Sequence, residues 1–364
     1  MVVNIETEIN GLKKQTELDT PFIKAVLELI RATYENDSIV EIINPTNNSN
    51  LEELSDFFEY ILKYPAGVDI PKVIVKNASD TEIVENADFL VSDCDVVCFS
   101  GGIDSTAALL HLLEHKKNIV ALWCDYGQPY NEPEREAVVR ICKMLSVQLY
   151  IATVDLSELI ALGTERFKHV FPARNLLIAA IAAALQPNEI VLAGLSDELV
   201  VPDKSPRMYS EGSRLLNYRV YSPFINMTKA EVLSVWKKRW NKMLDASETV
   251  SCYGDNGDCQ NCSSCAKREV AKIASEYSDE FPQVFITQND LISGHWFSRI
   301  DSFDIPRRAE ILISLNKFYD KISPELQAKT KNYLNKYNEE VISWKSHLNN
   351  LNILVEDVSG ETNV

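Results

Sequence analysis

Two short runs in this sequence bring together residue types that do chemistry. The first is Ser100-Gly101-Gly102-Ile103-Asp104-Ser105. Paired glycines let a backbone turn tightly and approach a ligand closely. Where such a loop feeds a helix, the free N–H groups and the helix dipole favour a phosphate. Ser100 and Ser105 add hydroxyl donors. The plain alternative is a Gly-Gly turn capped by Asp104 or Ser105. No Gly-Lys-Ser/Thr follows, so the run is not a Walker A loop. The second run is Cys252-x6-Cys259-x2-Cys262-x2-Cys265. Cys-x2-Cys spacing lets two thiolates converge from one turn, and four thiolates complete a tetrahedral zinc site with no open position. Such a site is structural. An iron–sulfur cluster and free thiols are the alternatives.

The surrounding pattern supplies the elements that must position these groups. Asp95 to Phe99 reads as a short apolar strand directly before the glycines, and Ser105 to Glu114 as a helix directly after them. Strands follow at Asn118 to Cys124, Gln148 to Val154 and Ile190 to Ala193, with helices at Pro133 to Leu145 and Arg174 to Leu185. Alternating strands and helices predict an α/β fold with a parallel sheet covered on both faces. Ligands then sit at the carboxyl ends of the strands. Ahead of this core, residues 1–90 carry helical spacing at Pro21 to Tyr34 and Leu51 to Tyr64, a polar loop at 44–50 and a strand at Val73-Ile74-Val75. Beyond it, Ala309 to Lys321 and Pro324 to Leu348 read as helices. The expected domains are therefore 1–90, an acidic mixed α/β extension; 91–281, the core with the cysteine site; and 282–364, a helical extension. No internal repeat is visible.

Composition narrows the partners. Of 364 residues, 46% are hydrophobic and 24% charged, which fits an ordinary globular chain and excludes collagen, coiled-coil or disordered architectures. The longest apolar stretch, Asn175 to Leu185, is too short for a membrane span. The first residues lack the basic and apolar regions of a signal peptide, so a cytoplasmic location and no membrane partner are expected. The net charge is −17, and residues 1–90 alone hold 7 basic and 17 acidic side chains. Polynucleotide binding rests on Lys and Arg neutralising phosphates, so this balance counts against it. Cys94, Cys98, Cys124 and Cys142 lie in apolar or helical contexts and read as buried structural residues. The crowding of the other four in a cytoplasmic chain favours metal over disulfides.

The run SGGIDS resembles the signature of the PP-loop ATP pyrophosphatases, with their Rossmann-like, adenine nucleotide α-hydrolase-like core. That resemblance implies ATP as co-substrate, cleavage between its α and β phosphates, and Mg²⁺ on the phosphates. The cysteine cluster beside it is more specific: the pair resembles the QueC, or 7-cyano-7-deazaguanine synthase, family. Asp125-Tyr126-Gly127-Gln128 matches that family's DYGQ, Phe171 to Leu177 its F-x-x-G-R-N-L-L segment, and Pro223-Phe224 with Thr228 to Glu231 its P-L…K-A-E segment. Ser251-Cys252-Tyr253 resembles its T-C-Y entry to the zinc site. The likeness covers about Asp95 to Ala271.

The resemblance implies a ligase that adenylates the carboxylate of 7-carboxy-7-deazaguanine, forms an amide with ammonia, and activates the amide again to leave a nitrile. Ser100, Gly101, Gly102, Ile103, Asp104 and Ser105 would hold ATP phosphates. Arg174, at a helix start, would join them as a charged fork, and Lys229 would face developing negative charge. Asp104, Arg174 and Lys229 are thus the catalytic candidates. Asp125, Tyr126 and Gln128 are substrate-side candidates through the DYGQ match. A carboxylate can accept both N–H donors of a guanine edge, and Asp203, then Asp197, are the candidates for it. The sequence departs from the family at Pro129-Tyr130, at Ala173 in place of glycine, and over Val200 to Arg207. With the long flanks, these departures also resemble divergent QueC-like proteins of bacterial antiviral gene clusters. Such a protein would join the activated deazaguanine to an amine of a protein partner, engaged through either extension. A tRNA thiolase and a non-catalytic nucleotide-binding scaffold are the rival readings. A homodimer is compatible with all of them.

Overall fold

The computed structural model describes residues 3–9, 12–46, 50–63, 70–76, 93–115, 118–128, 131–162, 171–196, 201–250, 252 and 259–351. The chain forms two compact units, residues 1–101 with 108–225, and residues 102–107 with 226–364.

In the first unit the elements are β1 (Val3–Ile9), β2 (Leu12–Leu18), α1 (Pro21–Tyr34), β3 (Ile39–Ile43), α2 (Leu51–Leu62), β4 (Lys72–Lys76) and β5 (Asp95–Cys98). They continue with α3 (Ile103–His115), β6 (Ile119–Asp125), α4 (Asn131–Leu145), β7 (Gln148–Val154), α5 (Ser157–Leu162) and α6 (Arg174–Ala184). β8 (Glu189–Leu192), α7 (Pro206–Leu216) and β9 (Arg219–Tyr221) complete it. The first turn of α3 counts with the second unit.

Among the described residues, seven strands form one sheet in the order β2-β1-β7-β6-β5-β8-β9. β7, β6, β5, β8 and β9 run parallel, so the expected parallel core is present. Its centre is β5, where all four residues are buried, as a strand covered on both faces requires. The pattern of the sequence did not reveal that residues 3–18 extend this sheet. β1 and β2 are a hairpin with Ile9 opposite Leu12, and β1 pairs antiparallel with β7 from Val3↔Val154 to Thr7↔Tyr150. The leader therefore shares the core sheet.

Local chemistry explains the helix starts. Thr20 accepts the N–H of Ile23 at 3.2 Å and Pro21 opens α1, whose Phe22, Ile23, Val26, Leu27 and Ile30 are buried. A small parallel sheet, β3-β4, packs on α1 and α2. Along β4, Glu59 and Ser55 of α2 accept the N–H groups of Val73 and Val75, which closes that edge. Ser205 caps α7 and Pro206 opens it, so the end of the divergent stretch before Arg207 is a helix start.

The second unit holds α8 (Lys229–Arg239), α9 (Ser263–Ala274), α10 (Val284–Thr287), α11 (Ile305–Lys317) and α12 (Pro324–Asn350). α9, α11 and α12 pack together around Ile273, Ile311, Leu312 and Leu315. Asp304 caps α11, which starts at Ile305 with Pro306 in its first turn, four residues before the expected start at Ala309. Arg308 is 7% exposed and ties this bundle. It donates to Glu340 at 2.9 Å and to the Phe303 carbonyl at 2.8 Å, and stacks on Tyr337. Among the described residues no helix is long and apolar enough to cross a membrane.

Candidate active site and metal centre

The glycine loop leaves β5 as its sequence predicts. In the first unit, Phe99 donates to the Leu122 carbonyl at 2.7 Å, and Gly101 turns the chain at φ +70°. A side chain on Gly101 would meet Val138 of α4 at 3.3 Å, so both the backbone angle and the space call for glycine. In the second unit, the Gly102 carbonyl accepts the Thr106 N–H at 2.9 Å and the Ser105 hydroxyl at 3.2 Å, which starts α3 inside the motif. Asp104, in the first turn, forms an ion pair with Lys229. Their side chains are 20% and 19% exposed, so the pair is open to an incoming anion.

Lys229 is held by its own helix start. Thr228 accepts the Glu231 N–H at 3.3 Å while Glu231 accepts the Thr228 N–H at 2.7 Å. This reciprocal capping box fixes the first turn of α8, which begins at Lys229. The structure thus brings Gly102, Ile103, Asp104 and Ser105 together with Lys229. Ser100 and Gly101 belong to the first unit.

The other candidates lie in the first unit, at the carboxyl ends of its parallel strands. β6 ends at Asp125, whose carboxylate accepts the Gly127 N–H at 2.9 Å and so shapes the turn. Gln128 donates its N–H to Asn131 Oδ1 at 2.8 Å and accepts the Asn131 N–H at 2.9 Å, which sets the start of α4. Tyr126 meets Phe171 edge-on at 4.8 Å between ring centres. Arg174 opens α6 three residues later. Ala173 before it stands at φ +56°, where the family motif carries glycine.

Asp203 is 5% exposed, and it caps α6 from a distance. Its carboxylate accepts the N–H groups of Asn175 at 2.8 Å and Leu176 at 3.3 Å, and its carbonyl accepts the Asn175 amide at 2.9 Å. Ala173 offers no side-chain cap, so Asp203 supplies it. Burial pushes the Asp203 carboxyl up to about 6, against the pull of the α6 N–H groups and of Arg174. A residue that the motifs did not single out also faces Arg174. Glu134 of α4 is raised to about 7 by burial, against Arg174 and the Trp123 indole. Arg174 therefore acts electrostatically on two carboxyls whose burial favours a proton. Asp197 and Pro129-Tyr130 lie outside the described residues.

In the second unit the four cysteines converge. The Sγ atoms of Cys252, Cys259, Cys262 and Cys265 all lie within 4.8 Å of one another. N–H groups point at the sulfurs: Cys259 N to Cys252, Asn261 N to Cys259, and Cys265 N to Cys262. Cys262 is also the N-cap of α9, an end that favours negative charge. Without a cation the crowding favours protons. Cys265 is raised through its hydrogen bond with Cys262 and then by burial, and Cys259 is raised to about 11 by burial first. Four sulfurs at this spacing, fed by N–H donors, fit a zinc site, with Zn–S bonds of about 2.3 Å. The remaining cysteines are of another kind. Burial raises Cys124 and Cys142 to about 12 and raises Cys94 and Cys98 as well, so each rests as a thiol.

A family model described as queuosine biosynthesis protein QueC matches residues 95–275. The 7-cyano-7-deazaguanine synthase of Hahella chejuensis (strain KCTC 2396) is 29% identical over 231 residues, covering 56% of this chain and 95% of that protein. The 7-cyano-7-deazaguanine synthase 1 of Desulfitobacterium hafniense (strain Y51) is 29% identical over 203 residues, or 48% and 90% of the two chains. That of Archaeoglobus fulgidus is 29% identical over 216 residues, or 50% and 87%. The family match ends before α10, α11 and α12.

Proposed function

The chain belongs to the QueC family through residues 95–275, and from that premise we propose that it is an ATP-dependent ligase acting on the carboxylate of 7-carboxy-7-deazaguanine. A carboxylate oxygen attacks the α phosphorus of ATP, the α–β bond breaks, and pyrophosphate leaves. Ammonia attacks the acyl carbon, AMP leaves, and the nitrogen gives up a proton to yield the amide. The amide oxygen attacks a second ATP in the same way. Loss of AMP and of the remaining protons from nitrogen leaves the nitrile.

The single observation that carries this reading is the strand–SGGIDS–helix start with Asp104 paired to Lys229. A lysine already neutralised by a carboxylate can turn to a phosphate while the carboxylate turns to a cation. Asp104 is the residue to hold Mg²⁺, which would offset phosphate charge. Ser105 and the N–H groups of α3 cradle the leaving pyrophosphate. Arg174 adds charge on the carboxyl side of the first unit's sheet, and zinc at the four cysteines is structural. The high-pKa cysteines speak against a thiolase, which needs a thiolate nucleophile.

A second reading concerns the acceptor. Ala173 and residues 200–207 depart from the family, and the extensions lie outside the matched residues, which favours an amine on a partner protein in place of ammonia. Positioning supplies much of the rate of such a capture. The experiment is to follow AMP, pyrophosphate and product by mass spectrometry with ATP, 7-carboxy-7-deazaguanine and ammonium. Two AMP per nitrile supports the first reading, and release of pyrophosphate that leaves the acyl adenylate without nitrile supports the second. No pyrophosphate at all defeats both.

A further inference from the structure

The C-terminal helix α12 lies beyond the family match, yet it reaches the start of α8 within the second unit. His347, in its last turn, meets Glu231 with Nε2 2.7 Å from Oε1. The other oxygen of the same carboxylate accepts the Thr228 N–H at 2.7 Å and closes the capping box. One carboxylate is thus held from two sides, by the cap it makes and by a ring from a distant helix. Trp344 stacks on the His347 ring at 4.8 Å between centres, which sets the ring's orientation. Lys238 donates to the Asn349 carbonyl at 3.0 Å and Leu348 is buried, so this end of α12 is fastened along α8. Between Thr228 and Glu231 stands Lys229, whose amine pairs with Asp104.

We propose that His347 is a positioning residue: by holding Glu231 it fixes the capped turn that aims Lys229 at the ATP phosphates, and so makes residues 324–350 part of the working enzyme. The proposal rests on the reading that Lys229 faces ATP. A hydrogen bond that steers a charged group differs from packing that merely supports a helix, and two substitutions separate them. His347→Phe keeps the ring on Trp344 and removes the donor. His347→Gln gives up the ring and keeps an N–H able to reach Glu231.

The test measures AMP release by full-length protein with 7-carboxy-7-deazaguanine and ammonium, alongside amide hydrogen exchange at residues 228–232. His347→Phe is expected to lower kcat about tenfold, as small misplacements of catalytic groups do, with KM for the carboxylate within about twofold. It should also speed exchange at the start of α8. His347→Gln should restore both. In a Lys229→Ala background His347→Phe should cost nothing further, because the two act as one unit. Wild-type kcat in His347→Phe overturns the proposal, as does rescue by ring and not by donor, or an equal loss in the Lys229→Ala background. Should wild-type protein release no AMP, the ligase reading fails separately. Unchanged exchange at 228–232 in His347→Phe then overturns His347's hold on the cap by itself.

Discussion

Asp203 caps the helix α6 from 28 residues beyond Asn175, whose N–H its carboxylate accepts at 2.8 Å. The cap comes from the turn after β8 because Ala173, at the position where a capping side chain would sit, has none to offer. This bond fixes the start of α6 and with it Arg174. The residue favoured for reading a guanine edge thus has both carboxylate oxygens engaged with backbone.

That engagement gives a pH signature. The Asp203 carboxyl is raised from 3.8 to about 6, with burial as the largest cause. A raised carboxyl binds its proton more tightly in the folded chain, so its contribution to stability is complete below about pH 4 and is lost as pH rises through about 6. The shift corresponds to about 3 kcal/mol. Asp203→Asn should flatten the stability profile between those pH values, read as the difference between variant and wild type in urea melts. Parallel profiles would show that Asp203 does not titrate there.

Ala173 invites the opposite kind of change. It holds φ +56°, ψ +21°, a left-handed conformation that a β-carbon disfavours. Ala173→Gly should stabilise the chain by about 1 kcal/mol and raise Tm by roughly 2 °C. A lower Tm would mean that the methyl group, 1% exposed in its place, contributes more packing than the strain costs.

Much of this was legible in the residues, and the misses have physical reasons. Pro21–Tyr34 and Gln148–Val154 fall where periodicity puts them, because capping, apolar spacing and flanking turns all agree there. The SGGIDS loop and the cysteine set were visible because their chemistry demands particular residues at particular spacings. The β1–β2 pair has a signal in the sequence: Asn10-Gly11, between Ile9 and Leu12, is the dipeptide that two-residue hairpin connections prefer. Its strands are rich in Glu, Lys and Thr, so they read as polar leader. Glu134, and the links from Asp203 to α6 and from His347 to Glu231, join residues far apart in sequence. No local pattern announces such contacts.

The metal centre predicts one zinc per chain in elemental analysis, held by Cys252, Cys259, Cys262 and Cys265. Cys262→Ser removes both a ligand and the cap of α9. That variant, or chelation of the wild type, should lower Tm by roughly 10 °C, because zinc binding and local folding are one equilibrium. Iron in the purified protein, or a metal-free protein of unchanged Tm, would overturn the assignment.

The loop itself separates stability from activity. Asp104 and Lys229 form an ion pair that is about one-fifth exposed, and pairs open to water contribute about 0–1 kcal/mol. Ser105 donates to Gly102 within one turn of α3, a bond that its helix can do without. Asp104→Ala and Ser105→Ala should therefore leave Tm within about 3 °C of wild type. Loss of a preorganised group at a site of building charge costs about 10²–10³ in rate, so AMP release should fall by that factor or more. Lys229→Ala should fall with them, and Asp104→Ala/Lys229→Ala should be no worse than the poorer single variant, since each residue positions the other. Circular dichroism melts and AMP assays on the same preparations decide the matter. Wild-type turnover in both Asp104→Ala and Ser105→Ala would remove the phosphate role from this loop, and matched losses of Tm and rate would reduce it to a helix start.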